Sequence, residues 1–158
     1  MTYPNLEIFG VYDRGVPNSE RVVLRSNSHV DLSQFFIFLG VKVPLRSDMV
    51  FPIPDEFLWL GRGIIDPNTW VFVYTGRGEP GITTEITTKE PVKSLYWNKN
   101  SVVLDNVEVV PVLSNFGSFL IGNKPNRSTV ELKKPAVPLI DAELLKILQG
   151  MLPTPKVD

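Results

Sequence analysis

The sequence contains no cysteine and a single histidine, His29. The missing cysteine excludes disulfides, thiolate nucleophiles, iron–sulfur clusters and every zinc site built on thiolate. With one histidine, a transition-metal site would rest almost wholly on carboxylates, an uncommon arrangement for zinc. No D-x-D-x-D-G loop is present, so calcium has no recognisable cradle either. No cofactor is expected. Charge of one sign is also missing: sixteen Lys and Arg balance seventeen Asp and Glu. The chain therefore lacks the basic excess with which general nucleic-acid binders displace phosphate counterions. Long apolar runs are absent too. The longest, residues 35–43, is broken by Gly40 and Lys42 and is far too short to span a bilayer. The opening Met1-Thr2-Tyr3-Pro4-Asn5 has no basic segment followed by an apolar run. No signal peptide and no membrane association are expected, and a cytoplasmic location is.

What is present reads as one β-rich domain. At 158 residues and 43% hydrophobic the chain suits a single core. β-branched and aromatic residues dominate the first 125 positions, punctuated by Gly, Pro, Asn and Asp. Strands are expected at 6–12, 20–25, 70–75, 92–97, 101–104, 108–113 and 118–121. Residues 35–41 are apolar on both faces, which predicts a central strand or one covered on its second side. Pro52, Pro54, Gly61, Gly63 and Pro67 predict a long irregular stretch around Trp59. Short strands at regular spacing with turn chemistry between them point to an antiparallel sandwich or barrel, and no βαβ alternation appears. The β domain is expected to span 1–124. Residues 125–158 then read as a Pro-rich connector with a short α-helix over 142–149, capped by Asp141 and ended by Gly150. Leu144, Leu145 and Leu148 give that helix one apolar face, which either packs on its own domain or docks on another chain.

Four features invite a chemical reading. Gly76-Arg77-Gly78-Glu79-Pro80-Gly81 follows a strand and matches the dinucleotide fingerprint G-x-G-x-x-G. That fingerprint needs a helix to follow, and Pro80 with Ile82-Thr83-Thr84 makes poor helix, so a turn between strands is expected. His29 lies in a polar turn beside Asp31 with no nucleophile elbow, which favours a surface histidine. Asp55 and Glu56 are adjacent, so in a strand they point to opposite faces and cannot act as a glycosidase pair; Asp13, Glu20 and Glu79 are scattered. Trp59, Trp70 and Trp97 with Tyr74 and Tyr96 offer flat faces for sugars or bases. Trp59, among glycines and prolines, is the best candidate for an exposed one. Arg62, Arg77 and Glu79 complete a mixed-charge candidate binding surface with it.

Residues 6–11 (Leu-Glu-Ile-Phe-Gly-Val), 20–25 (Glu-Arg-Val-Val-Leu-Arg) and 30–35 (Val-Asp-Leu-Ser-Gln-Phe) resemble the opening of a bacterial lamin-tail domain. That family runs as a strand, an E-w-v-E-l-x-N strand and a v-D-L-s-G-w turn. Asn27 stands near the family's asparagine, and Gln34 replaces its glycine. Residues 65–73 resemble its L-x-P-G-x-y-v-v-v strand, with Asn68 in place of glycine. Tyr96-Trp97-Asn98-Lys99 through Leu113 is similar to its w-n-n-x-G-D-x-v-x-L hairpin. The likeness covers about residues 6–122, with no counterpart for 76–91. It implies an immunoglobulin-like antiparallel β-sandwich, no catalytic residues, and a role as an interaction module. The expected function is a non-enzymatic adaptor whose partner is another protein. A carbohydrate- or nucleic-acid-binding module using exposed loop aromatics is the first alternative, and a structural subunit of a phage or secretion assembly the second.

Overall fold

The computed structural model describes residues 5–117; the connector and the expected helix with Leu144, Leu145 and Leu148 lie outside them. Within them the chain is mainly β, with three sheets and no α-helix among the described residues. The ten strands are β1 (Leu6–Tyr12), β2 (Arg21–Ser26), β3 (Val30–Asp31), β4 (Phe35–Val43), β5 (Arg46–Trp59), β6 (Ile64–Ile65), β7 (Trp70–Tyr74), β8 (Gly81–Thr84), β9 (Pro91–Tyr96) and β10 (Val109–Asn115). A 3-10 turn, Leu32–Gln34, joins β3 to β4, with the Asp31 carboxylate accepting from the Ser33 N–H at its start.

One sheet has the order β1-β2-β7-β9-β8, a second β10-β4-β5, and β3 pairs with β6 in a small third. Period-2 patterning decides which side chains go inward. Leu6, Ile8, Val22, Leu24, Val71, Val73 and Leu95 from the five-stranded sheet share one hydrophobic cluster with Phe35, Ile37, Leu39, Leu58 and Leu113 of the three-stranded sheet. Trp97 and Leu104 join it from the segments after β9. Residues 35–41 do form a central strand, flanked by β10 and β5. All pairings are antiparallel except β7 with β9, which run parallel. A parallel neighbour needs a long crossover, and β8 lies within that connection, pairing with β9 at the sheet edge.

Two expectations from the sequence are corrected. The stretch 52–59 is not irregular: it belongs to β5, pairing Pro52 with Gly40 and Phe57 with Phe38. Its prolines are tolerated because β5 is an edge strand, where a missing N–H leaves no ladder bond unmade. The register shifts between Phe38 and Gly40, and Asp55 within the shifted stretch takes φ 63°. Residues 101–104 form no strand. The N–H groups of Val103 and Leu104 donate instead to the Glu20 carboxylate, at 2.9 and 3.2 Å. Glu20 is fully buried and also accepts from the Gly15 N–H (2.9 Å) and the Thr75 hydroxyl (2.8 Å). Four donors thus compensate a buried carboxylate and tie three loops together.

Candidate functional site

The outer faces of both larger sheets are aromatic, and each presents a surface. In the three-stranded sheet, β4 alternates Phe35, Ile37 and Leu39 inward with Phe36 and Phe38 outward. Phe36 is opposite Trp59 and Phe38 opposite Phe57 across the β4–β5 ladder. The Phe36 ring lies 4.8 Å from those of Phe57 and Phe116 and 6.3 Å from Phe38. Phe57 is 48% exposed and Trp59 43%, so the cluster opens to solvent. The Trp59 indole N–H is fixed by the Ser33 carbonyl at 2.8 Å, which holds the ring in one orientation. Phe51 and Val41, paired further along the same ladder, are exposed too.

In the five-stranded sheet, β7 alternates Trp70, Phe72 and Tyr74 outward with Val71 and Val73 inward. Its neighbour β2 contributes Arg21, Val23 and Arg25 to the same outer face, opposite Tyr74, Phe72 and Trp70. The Arg21 guanidinium sits 5.5 Å from the Phe72 ring centre and 5.7 Å from those of Tyr12 and Tyr74. Arg25 lies 4.9 Å over Trp70. Tyr74 stacks on Tyr96 at 5.1 Å, and Phe9 meets Trp70 edge-on at 4.9 Å. Alternating rings and guanidinium groups of this kind contribute about 0.5–1 kcal/mol per contact at exposed sites.

The turn between β8 and β9 arches toward this pavement. Glu90 anchors it, accepting from Arg25 at 2.9 Å and from the Trp70 indole N–H. Within the turn the Glu85 carboxylate accepts from the Thr88 N–H. That backbone bond, reinforced by weaker ones from the Thr88 hydroxyl and Thr87, holds the Glu85 carboxyl below the usual glutamate range. Between turn and sheet runs a trough of about 250 Å³ lined by Phe9, Tyr12, Arg21, Val23, Trp70, Phe72, Glu85, Thr87 and Thr88. Gly10 lies behind one lining ring: a Cβ there would be 3.2 Å from Tyr12.

The four residues singled out from the sequence have different partners. Trp59 belongs to the three-stranded face. Arg62 is exposed, and its carbonyl accepts from Lys93 at 3.5 Å. Arg77 donates to the Asn100 side chain, and Glu79 is exposed on the β7–β8 loop. The glycine motif is followed by β8, a strand, so no helix N-terminus is there to hold a pyrophosphate. Gly78 lies against the Tyr96 ring, where a Cβ would come within 2.2 Å. His29 is exposed and its Nδ1 lies 3.2 Å from Asp66, while Asp31 is engaged with Ser33. Glu56 pairs with Lys99 at 2.7 Å, apart from Asp55. Among the described residues no three His, Asp or Glu side chains gather as a metal site, and no helix is long and apolar enough to cross a membrane.

Sequence reasoning missed Phe9, Tyr12, Arg21 and Phe72 as a group, and Phe36, Phe57 and Phe116 as another. Strict alternation of aromatics at 70, 72, 74 and at 36, 38 was the available signal, since it places each set on one face. No protein-family model, curated protein or solved structure matches this chain.

Proposed function

We propose that this chain is a non-enzymatic protein-interaction module, an immunoglobulin-like sandwich of lamin-tail type whose docking surface is the outer face of the three-stranded sheet. The exposed rings of Phe57, Trp59 and Phe116 around the half-buried Phe36 carry this reading. Two sheets contributing to one core support the sandwich, and the resemblance in residues 6–122 supports its type. Aromatics held rigid lose little entropy on binding, and tryptophan is the residue type most enriched among energetically dominant interface positions. The partner surface that fits is an apolar protein surface whose side chains fill the gaps between these rings.

A photo-crosslinking residue placed at position 57 tests this in the cell of origin, with position 16 on an unrelated exposed loop as control. The expected result is a discrete protein adduct from position 57 that Trp59→Ala removes and that position 16 does not give. Identical adduct patterns from the two positions, or none from 57, would contradict the proposal.

A further inference from the structure

The trough on the opposite sheet is a second site, independent of the protein-docking face. We propose that it binds carbohydrate, taking one neutral pyranose ring of a glycan between Tyr12, Phe9 and the β8–β9 turn. Its volume of about 250 Å³ lies below the range of drug-sized pockets and suits a single ring. Its wall is flat and aromatic, with Phe9 54% and Tyr12 41% exposed, so ring faces are open to stacking. A pyranose matches such a surface because its axial C–H groups make one face apolar while its hydroxyls point outward around the edge.

The rim supplies what those hydroxyls need. The Glu85 carboxylate accepts, the Thr87 and Thr88 hydroxyls both donate and accept, and the Arg21 guanidinium donates. The fixed charges balance: Arg21 is paired with Asp13, and Arg25 with Glu90. A cationic ligand would meet the positive charge of the Arg21 guanidinium in the lining. An anionic one would meet Glu85. A purely apolar ring, such as a partner's phenylalanine, would desolvate Glu85, Thr87 and Thr88 without replacing their water hydrogen bonds. A ring with an apolar face and a hydroxylated edge satisfies both parts of the lining.

Saturation-transfer NMR with a panel of neutral monosaccharides and oligosaccharides tests the assignment on the full chain. At least one sugar should receive saturation on its axial protons. Tyr12→Ala should weaken that sugar at least tenfold, and Gly10→Ala, which replaces no lining residue but pushes on the Tyr12 ring, severalfold. Thr87→Val, on the exposed turn, should weaken it with the fold intact by circular dichroism, while Trp59→Ala should leave it unchanged. No response from any sugar would overturn the proposal. So would sugar binding that survives both Tyr12→Ala and Thr87→Val, or preferential binding of phenol or indole. Trp59→Ala reports on the other sheet, so loss of one site is distinguishable from loss of the other.

Discussion

Individual residues in this protein carry tasks that their type alone does not announce. Glu20 is a charged side chain in the interior, and its carboxylate compensates four donors drawn from Gly15, Thr75, Val103 and Leu104. Removing it leaves those donors unpaired, each at a cost of about 1–3 kcal/mol, partly relieved where water can enter. Glu20→Ala should therefore lower unfolding stability by on the order of 3 kcal/mol in a urea titration; a change below about 0.5 kcal/mol would mean the bracket is not structural. Glu85 makes a different prediction. Its carboxyl titrates below the ordinary value because the ionised form accepts from Thr88. A depressed acid stabilises the fold above its unfolded pKa, and that contribution is lost as pH falls through the lower folded value. The Thr88 amide should thus keep its hydrogen-bonded NMR shift at neutral pH and lose it only in acid below the ordinary glutamate range. A midpoint at or above that range would contradict the contact.

Elements show where backbone geometry, rather than side-chain type, decides. Asn68 has φ 62° and donates its N–H to the Ser26 carbonyl, so the chain needs a left-handed residue there. Asparagine tolerates that region better than most residues with a side chain. Asn68→Gly should stay within about 0.5 kcal/mol of the parent, whereas Asn68→Val should cost about 1–2 kcal/mol in the same thermal melt. Gly40 makes a stricter demand. A Cβ there would lie 2.8 Å from the Phe51 carbonyl oxygen and 2.1 Å from a Val50 methyl, so β5 must move away from β4. Gly40→Ala should destabilise by on the order of 1–3 kcal/mol and raise amide exchange at 50–52 selectively; uniform exchange would place the strain elsewhere.

The strands with clean alternation were legible from sequence, and those decided by tertiary context were not. β1 and β7 follow from their side-chain pattern, since Leu6, Ile8, Val71 and Val73 need one buried face. β5 was hidden because Pro52 and Pro54 argue against a central strand, and only its edge position permits them. Residues 101–104 have strand-like composition, yet a buried Glu20 far away in sequence captures their N–H groups. The trough was hidden for a related reason. Its aromatics follow from alternation, but its far wall is the turn 85–88, which is held to the sheet through the β8–β9 ladder and through Glu90 bonding Arg25 and Trp70.

For the molecule as a whole, its three tryptophans divide by location: Trp59 on the three-stranded face, Trp70 beside the trough and Trp97 in the core. Among the described residues, burial assigns stability to the core and leaves ring surface exposed on both outer faces. Trp59→Ala should therefore shift unfolding stability by less than about 1 kcal/mol while removing protein binding. The most direct measurement is a fluorine NMR spectrum of the 5-fluorotryptophan-labelled protein, recorded before and after adding clarified lysate from the cell of origin. With the lysate dialysed to remove small sugars, the Trp59 resonance should change its chemical shift while those of Trp70 and Trp97 hold theirs, all three lines broadening as the complex tumbles more slowly. An unshifted Trp59 line, or equal shifts of all three, would contradict the account.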